Sequence, residues 1–517
     1  MAPQTYSLTT PIYYVNDRPH IGHAYTTLAC DALARFMRLD GREVHFLTGT
    51  DEHGQKVEKS ARAAGKDPKT FTDEVSQNFR RLAADMNYSH DQFIRTTEER
   101  HIRASQAIWK AIKDNGHIYL GKYAGWYAVR DEAYYAESEI TEKDGRKVGP
   151  SGAEVEWVEE PSYFFDLSKW QQPLLDLYER NPGFIGPDSR RNEVISFVRG
   201  GLNDLSVSRT SFTWGVPVPD DPAHIMYVWL DALTNYITAI GYPDVGAEEF
   251  RKFWPNDLHM VGKDIIRFHA VYWPAFLMAA GLEPPKRIFA HGWLLSRGEK
   301  MSKSLGNIVR AEDLVAQYGL DPVRYYLLRE VPFGQDGYIS HETMVGRLNG
   351  DLANDFGNLA QRALAMIARF AEAKVPTPGT LSADDRKLLD SAAGVLDQLR
   401  PLYAEQAFHR ALEALWVVVG DANRYFDAQA PWALRKSDPA RMATVLWTTA
   451  ECVRRLAILV QPVMPGSAEK LLDQLAAPAG ARSFAHLSDA HALAAGTALP
   501  APQPVFPRYV EERPAAQ

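Results

Sequence analysis

The sequence predicts an α/β protein in which a domain built on a parallel sheet is split by a small insertion and followed by an all-α helical bundle. Three observations support this fold class. A strand, helix, strand pattern opens the chain, a similar pattern resumes near residue 258, and almost every segment after residue 347 has helical periodicity. A helix between two nearby strands is the usual connection of parallel strands.

The opening pattern runs from residue 5 to residue 48. Residues 5–9 and 12–15 have the composition of extended chain, with Pro11 between the two runs and Pro19 after them. From Gly22 the apolar residues recur at helical spacing as far as Gly41, which suits a helix C-terminus. Residues 43–48, EVHFLT, then predict a short strand.

The second half of the sheet follows a long interruption. Residues 258–262 and 287–291 read as strands. A helix is predicted to begin at Asp264, with Phe268, His269 and later apolar residues on one face. These elements repeat the strand, helix, strand order of the opening pattern and predict that both halves join one sheet.

The interruption has short aromatic runs and turn signals, which predict an inserted β-rich domain. Helical segments with short breaks then predict a bundle, and the Pro- and Ala-rich end is expected to lie along the surface or to be partly disordered. The predicted boundaries are 1–115 and 226–295 for the two halves of the sheet domain, 116–225 for the insertion, 296–347 for a connecting region, 348–495 for the bundle and 496–517 for the tail.

Composition limits the function classes. Hydrophobic residues make up 45% of the 517 residues and charged residues 24%, as in globular proteins. The net charge of −8 argues against non-specific coating of nucleic acid, although a local basic path could still bind it. Cys30 and Cys452 cannot form a disulfide framework or a four-cysteine zinc site. With no signal peptide or membrane span in the sequence, we expect a cytoplasmic protein.

The stretch PHIGHAY, residues 19–25, stands where the first predicted strand gives way to the first helix. Ligands of open parallel sheets bind beyond the carboxyl ends of the strands, and a helix N-terminus there is an anion site. His20 and His23 could donate to phosphate oxygens, and Gly22 would let a ligand approach the backbone. A helix cap or surface position and a metal site stay open as alternatives.

A basic segment, SRGEKMSKSLGN at residues 296–307, lies far downstream. Lys300 and Lys303 stand between Gly298 and Gly306. Lysine is a mobile point charge that suits a phosphate whose charge grows during reaction. A solvated basic loop is the alternative for this segment alone.

Together, PHIGHAY and KMSKS resemble the paired HIGH and KMSKS signatures of class I aminoacyl-tRNA synthetases, in order and at opposite ends of a split Rossmann-like domain. That family activates an amino acid with ATP and transfers it to tRNA. The resemblance extends to methionyl-tRNA synthetases over about residues 5–465, in the stretches TTPIYYVNDRPHIGHAY, FLTGTDEHGQK, YVWLDALTNY, VGKDIIRFHAVYWPA and AHGWLLSRGEKMSKS.

The resemblance implies a methionine pocket by position. An apolar, aromatic pocket suits a polarizable thioether. Asp51 would pair with the substrate ammonium, Asp264 stays open between a helix N-cap and a substrate contact, and Leu233 departs from relatives that carry proline there. The implied pocket residues are Ile12, Tyr14, Asp51, Trp229, Ala232, Leu233, Tyr236, Asp264, Phe268, His269 and Trp273.

The resemblance also implies an ATP site. His20, His23, Lys300 and Lys303 are the implied catalytic residues, which act by positioning and charge stabilisation rather than by covalent attachment. We expect Mg²⁺ to accompany ATP through phosphate oxygens and waters, since the sequence offers no carboxylate cage. The implied ATP contacts are Asn16, Gly22, Gly262, Lys300, Met301, Ser302 and Lys303, with His53 also near the pocket.

For tRNA, the resemblance implies that Asn358, Arg362 and Trp432 read the CAU anticodon of tRNA(Met). Without it, Asn358 and Arg362 would be assigned to a solvated helix face. Amide and guanidinium groups reach exposed base edges, and an indole offers a stacking surface.

The insertion lacks the zinc knuckles of many relatives. The ligand positions fall at Ala128, Asp131, Val148 and Ser151, none of which supplies a thiolate. We therefore predict no structural zinc and an insertion held by packing. We also expect a monomer, because no further barrel domain follows the bundle.

Rival functions remain at this point. A class I synthetase for cysteine would need zinc ligands, and one for valine, leucine or isoleucine would need a larger editing insertion. A nucleotidyltransferase with the same histidine turn would lack the bundle, and a non-catalytic tRNA-binding paralogue would have no use for both phosphate signatures.

Overall fold

The computed structural model describes residues 4–131, 133–296, 299–300 and 308–511. Their contacts divide them into two compact units. The first unit contains Gln4, residues 20–44 and the described residues from Gly292 onward, whereas the second contains residues 5–19 and 45–291. The histidine turn and the helical bundle therefore belong to the first unit, and the predicted methionine pocket belongs to the second.

The described strands are β1 Thr5–Thr9, β2 Tyr13–Tyr14, β3 Glu43–Asp51, β4 Gln92–Arg95, β5 Ile118–Ala128, β6 Ala133–Tyr135, β7 Thr141–Lys143, β8 Arg146–Val148, β9 Glu156–Phe165, β10 Ile185–Gly186, β11 Leu205–Ser206, β12 Ser208–Arg209, β13 Pro217–Val218, β14 Asp221–Met226, β15 Leu258–Gly262, β16 Ile288–His291, β17 Leu294–Ser296, β18 Glu299–Lys300 and β19 Gly337–Ile339.

The described α-helices are α1 Ile21–Leu39, α2 Gln55–Ala63, α3 Pro68–Asp85, α4 Glu99–Asp114, α5 Gln171–Arg180, α6 Asp188–Arg199, α7 Val228–Thr238, α8 Glu248–Phe253, α9 Trp273–Ala279, α10 Ala311–Tyr318, α11 Leu320–Glu330, α12 His341–Arg347, α13 Asn358–Phe370, α14 Ala383–Ala404, α15 Phe408–Gln429, α16 Pro431–Ser437, α17 Pro439–Val460 and α18 Pro465–Gln474.

Within the described residues, the second unit is built on a seven-stranded sheet in the order β10, β16, β15, β1, β3 and β2, with β4 also paired to β3. Each pairing whose register is described is parallel. Leu8, Phe46, Leu47, Ile94 and Val261 are fully buried in it, as expected for parallel strands covered on both faces. The predicted parallel sheet is confirmed.

The stretch 116–225 contains antiparallel strands, as expected. β5 and β9 pair from Ile118↔Phe165 to Tyr127↔Glu156 and carry β6 and β11 at their sides. The stretch also holds α5 and α6, which the sequence analysis did not anticipate, and β10, which pairs with β16 of the main sheet. A two-residue strand is too short to leave a periodic pattern. The exact domain boundaries stay predictions.

The single helix predicted from Asp264 is wrong in its detail. A 3-10 turn at Lys263–Ile265 and a π-helix at Phe268–Tyr272 precede the short α9. Pro274, near the start of α9, has no backbone N–H to donate to the preceding turn, which favours such a break in α-helical bonding. The predicted apolar face is present, but part of it lies on the π-helical turn, which is wider than an α-helical one.

The first unit continues the helical pattern predicted after residue 347. Its long helices α14, α15 and α17 pack on one another. A π-helix at Leu348–Gly357 leads into α13, and Leu352, Phe356 and Leu359 are buried along this stretch while Asn358 is exposed. The predicted bundle is confirmed.

The last described residues lie along the bundle. The backbone N–H of Val375 donates to the carbonyl of Thr497 at 2.8 Å, and the buried ring of Phe506 lies 6.0 Å from that of Phe356. Thr497 and Phe506 therefore contact the first unit's helical region, and the predicted bounds of the tail stay a prediction. In the parts of the chain that the structure describes, no helix has the length and apolar character that crossing a membrane requires.

Candidate active site

The two histidines of PHIGHAY cap the N-terminus of α1. Nδ1 of His20 accepts the backbone N–H of Gly22 at 3.0 Å, and Nδ1 of His23 accepts the backbone N–H of His20 at 3.0 Å. This reciprocal arrangement is a capping box made from imidazoles. Because each Nδ1 accepts, the proton of each neutral ring is on Nε2, which can donate to an anion. The cap and phosphate interpretations are therefore compatible.

Gly22 is needed by this cap. A Cβ at residue 22 would lie 2.8 Å from Cε1 of His20, well inside the normal separation of non-bonded carbon atoms. The sequence analysis attributed Gly22 to the approach of a ligand. The structure gives a second reason, because the ring of His20 already occupies the space beside residue 22.

The chain that follows the lysine segment reaches the same turn. The backbone N–H of Ile21, the first residue of α1, donates to the carbonyl of Val309 at 2.9 Å. Lys300 is described only through its backbone, in β18. Met301, Ser302 and Lys303 lie outside the described residues, so their predicted ATP contacts stay predictions.

Asp51 ends β3 in the second unit. It is 2% exposed and lies in parallel register with Tyr14 of β2. The next residue, Glu52, accepts two hydrogen bonds from the guanidinium of Arg95, at 2.7 and 2.9 Å. A bidentate pair of this kind fixes both orientation and distance. The carboxylate of Asp51 therefore stands on a firmly held strand end.

Most of the predicted pocket residues lie in one apolar cluster or pack against it. The Trp229 and Phe268 rings stack with centroids 3.7 Å apart and planes within 5°, and the His269 ring meets Trp229 edge-on at 6.1 Å. Ala232 is buried beside Leu233 on α7. The predicted pocket residues that belong to this cluster or pack on it are Ile12, Tyr14, Trp229, Leu233, Tyr236, Phe268 and Trp273.

Tyr236 and His269 form a buried polar pair inside this apolar setting. Nδ1 of His269 donates to the carbonyl of Ile265 at 3.0 Å, so Nε2 is the nitrogen that accepts from the Tyr236 hydroxyl at 2.6 Å. Burial lowers the pKa of His269 from its usual value to about 4. The ring is neutral near pH 7, and the pair brings no net charge to the pocket.

Three other predicted residues lie close to the carboxyl ends of β2 and β15. Asp264 is exposed, and the N-cap position of its 3-10 turn is held by Gly262, so the N-cap alternative for Asp264 is wrong. A Cβ at residue 262 would lie 2.6 Å from Oδ1 of Asp264. Asn16 follows β2 by two residues along the chain and is half-buried. Contacts of these residues with substrate or ATP stay predictions.

The predicted anticodon residues form a patch on the bundle. The guanidinium of Arg362 lies 5.3 Å from the ring centre of Trp432 and donates to Asp427 at 2.8 Å. Trp432 is 50% exposed, so one face of its ring is accessible. Asn358 is exposed at the start of α13, one turn before Arg362.

Two family models match this chain, "tRNA synthetases class I (M)" over residues 6–364 and "Anticodon binding domain of methionyl tRNA ligase" over residues 375–516. The chain belongs to the methionyl-tRNA synthetases. It is therefore a class I aminoacyl-tRNA synthetase, a ligase, as the paired signatures predicted. Because the second model is that of methionyl-tRNA ligases, the rival amino acids are set aside.

Relatives of this methionyl-tRNA synthetase match along the whole chain. It is 61% identical to the methionine–tRNA ligase of Brucella suis and 59% identical to that of Mesorhizobium japonicum, over 99% of each chain. It is also similar to the solved Mycobacterium tuberculosis methionyl-tRNA synthetase in complex with methionyl-adenylate, with a TM-score of 0.96 and 55% identity, covering 98% of this chain and 100% of that one.

The sequence analysis missed the polar residues behind the pocket of this methionyl-tRNA synthetase. His259 donates from Nδ1 to the Thr9 hydroxyl at 2.8 Å and accepts the indole N–H of Trp273 at 3.3 Å, and its ring centre is 4.1 Å from that of Tyr236. Burial lowers the pKa of His259 well below its usual value. The available signal was a lone histidine in the apolar strand LHMVG.

A hydrogen-bonded cluster contains Asp131 and Ser151, two of the positions that the sequence analysis compared with zinc ligands. The hydroxyl of Ser151 bonds the carboxylate of Asp131, which also accepts from the Tyr135 hydroxyl at 2.9 Å. Arg130 donates to the Ser151 carbonyl at 2.8 Å. These contacts connect the turn at residue 131 with the turn at residue 151.

Proposed function

We propose that this methionyl-tRNA synthetase activates L-methionine with ATP, forming methionyl-adenylate and pyrophosphate, and then transfers methionine to the 3′ end of tRNA(Met). One observation carries the proposal. The buried carboxylate of Asp51 lies in register with Tyr14, which packs on the apolar cluster of Trp229 and Phe268. A carboxylate for the ammonium and polarizable rings for the thioether are the groups that methionine requires.

In the proposed pocket, Asp51 pairs with the ammonium and the stacked rings of Trp229 and Phe268 form an apolar wall. The Tyr236 hydroxyl is already engaged by the neutral His269, so neither group favours a charged or hydroxyl-bearing side chain. The proposed wall is completed by Ile12, Tyr14, Ala232, Leu233 and Trp273, with Asp264 at its exposed edge.

We propose that His20 and His23 bind ATP phosphates through Nε2 at the N-terminus of α1. Their Nδ1 atoms are occupied by the cap, which orients both rings. The partial positive charge of the helix end adds to this attraction for phosphate. Lys300 and Lys303 would bind the leaving pyrophosphate on the segment that closes over it, with Asn16, Gly262, Met301 and Ser302 as further nucleotide contacts.

The proposed chemistry needs no covalent attachment to the enzyme. A carboxylate oxygen of methionine attacks the α-phosphorus of ATP, and the bond from that phosphorus to the bridging oxygen breaks, so that pyrophosphate leaves with the electron pair. The 2′-hydroxyl of the terminal adenosine of tRNA then attacks the methionyl carbonyl and releases AMP. The protein's contribution is positioning and stabilisation of the developing charge.

Mg²⁺ is proposed to accompany ATP. Among the described residues, no group of three or more His, Cys, Asp or Glu side chains is placed to hold a metal ion. An ion bound mainly by phosphate oxygens and water is the usual form for Mg²⁺ at such sites, where it offsets phosphate charge.

For tRNA, we propose that Trp432 stacks on an anticodon base while Arg362 and Asn358 donate to base edges of CAU. The exposed indole and its neighbouring guanidinium support this assignment, because such pairs are used to bind unstacked bases.

We also propose a cytoplasmic monomer with the domain boundaries given above. Metal analysis of the purified protein should find less than stoichiometric zinc, and one zinc per chain would contradict the proposal for the insertion.

The test of the amino acid is ATP/pyrophosphate exchange across a panel of amino acids. Methionine should be preferred over every other member. Homocysteine should be the nearest competitor, because removal of one methyl costs only about 1–3 kcal/mol of discrimination. Preference for another amino acid would refute the proposal.

A further inference from the structure

Helix α7 is buried on two opposite faces. One face carries Trp229, Leu233 and Tyr236, which belong to the apolar cluster. The other carries Asp231 and Thr238, both at most 3% exposed. Buried polar groups are costly unless they are hydrogen-bonded, so the partners of this second face show what holds α7 in place.

Asp231 bridges two histidines from different parts of the second unit. One carboxylate oxygen lies 2.7 Å from Nδ1 of His53, and the other lies 2.7 Å from Nε2 of His101 in α4. All three side chains are at most 5% exposed. Burial by itself would raise the pKa of Asp231, but the two imidazoles bring it below its usual value, so the carboxylate is ionised.

His53 stands two residues beyond Asp51, the proposed ammonium ligand. The segment between them is held on its other side by Trp214, whose indole N–H donates to the carbonyl of Glu52 at 2.6 Å. The carbonyl of Trp214 accepts the N–H of Gly54 at 3.0 Å. The bond from His53 to Asp231 therefore links this strand end to α7.

We propose that Asp231 is a positioning residue of the methionine site. It fixes the distance between Asp51, at the end of β3, and the face of α7 that carries Trp229. His101 holds the second oxygen of the carboxylate and prevents it from turning away from His53. This inference rests on the proposed roles of Asp51 and Trp229. Methionine must satisfy both groups at once, so a change in their spacing weakens its binding.

The position of His53 also distinguishes a positioning role of Asp231 from a contribution to stability alone. A buried carboxylate with hydrogen-bonded partners is no better a stabiliser than apolar residues of the same size, so stability alone does not explain why its partner is next to the proposed ammonium ligand. The chain offers a matched pair in the insertion of the same unit. There, Nδ1 of His117 lies 3.0 Å from the carboxylate of Asp166, which is 3% exposed.

The experiment compares Asp231→Ala and Asp231→Asn with Asp166→Asn. Methionine affinity is followed by tryptophan fluorescence and by ATP/pyrophosphate exchange, and folding by thermal unfolding. Asp231→Ala should raise the KM and Kd for methionine by about tenfold or more, with the KM for ATP changed less than about twofold. Asp231→Asn keeps the shape and one acceptor and should show a smaller rise. Asp166→Asn should leave both KM values unchanged.

If Asp231→Ala does not fold, His101→Ala and His101→Gln replace it, since glutamine can restore a donor near Nε2. The same rise in the KM for methionine, partly reversed in His101→Gln, would support the inference. Lower stability with an unchanged KM for methionine in the Asp231 and His101 variants would overturn it. Failure of the unaltered enzyme to prefer methionine would instead refute the proposed function, and this inference with it.

Discussion

The two ring nitrogens of His20 and His23 differ in role: Nδ1 caps α1, and Nε2 is proposed to donate to phosphate. Nδ1 of each ring bonds backbone N–H groups at the start of α1, which fixes the tautomer and leaves Nε2 as the donor. Donors that are oriented before the substrate arrives need less reorganisation during the reaction. One added carbon atom beside the His20 ring is therefore expected to change the rate of adenylate formation.

Gly22→Ala should lower the rate of ATP/pyrophosphate exchange by about tenfold or more, because the new methyl group displaces the ring of His20 and phosphate donors act only within narrow geometry. The rate at saturating methionine and ATP measures this effect. Gly394→Ala, in α14, is the control, because a Cβ there meets open space. It should leave exchange unchanged and raise the free energy of unfolding by about 0.4–1 kcal/mol. Normal exchange by Gly22→Ala would contradict the role of the ring position.

Lys303→Ala should depress the rate of adenylate formation more than methionine affinity, because the contact of lysine with pyrophosphate strengthens in the transition state. Single-turnover adenylation and methionine titration measure the two quantities separately. A large rise in the Kd for methionine with an unchanged adenylation rate would remove Lys303 from its proposed role.

Helix α1 is anchored along its length within the first unit. Asp31 pairs with Arg324 of α11 at 2.6 Å, with both side chains fully buried, and Arg324 also donates to the carbonyl of Val463 at 2.8 Å. Nearer its C-terminus, the Phe36 ring stacks on Tyr403 of α14 at 3.9 Å. The element that begins at the proposed phosphate site is therefore held by the helices that follow it in the chain.

The start of α14 gives a prediction about pH. Asp385 accepts hydrogen bonds from Arg441 at 2.8 Å and from Tyr425 at 2.5 Å. Burial would raise the pKa of Asp385, but these bonds outweigh it and bring the pKa to about 2. Since the folded pKa is below the unfolded one near 4, the stabilisation is complete above about pH 5 and is lost as pH falls toward 2.

Asp385→Asn should therefore lower the free energy of unfolding by roughly 1–3 kcal/mol at pH 7, and the difference from the unaltered protein should shrink as the pH falls from 5 to 3. Urea unfolding of both proteins at several pH values measures it. A difference that stays constant over this range would show that the bonds do not depend on the charge of Asp385.

Across the whole molecule, the proposed phosphate site at His20 and His23 and the proposed anticodon site around Trp432 belong to the same compact unit, while the proposed methionine pocket belongs to the other. The two steps of the reaction therefore make different demands on the chain. On the proposed assignments, amino acid activation depends on the methionine pocket residues and on His20 and His23. Charging of tRNA is proposed to depend, in addition, on the exposed surface around Trp432.

Trp432→Ala should reduce kcat/KM for tRNA charging by about 10- to 100-fold, because base stacking on an aromatic ring contributes about 1–3 kcal/mol. Methionine-dependent ATP/pyrophosphate exchange should be nearly unchanged. Trp432→Phe keeps a stacking face and should retain most of the charging activity. Equal loss of exchange and charging in Trp432→Ala would indicate that the indole is needed for folding instead.

Sequence patterns recovered the sheet and the bundle but not the detail of the pocket. Every residue of α7 is buried. Its apolar periodicity therefore did not indicate that Asp231 and Trp229 lie on different faces and contact different parts of the protein. The π-helix at Phe268–Tyr272 was read as an α-helix, because the two have similar apolar spacing over one turn. The residues assigned to the pocket came from the family resemblance, and their substrate contacts stay predictions.

Contiguous stretches of the sequence suffice to predict the fold class, the histidine turn, the lysine segment and the family. The folded chain is needed to show which distant residues meet, as in the contacts of Tyr236 with His269, of Asp231 with His53 and His101, and of Arg324 with Asp31. The physical reason is that periodicity reports the face of one element at a time. A contact between two elements depends on the paths of both backbones, which no local pattern records.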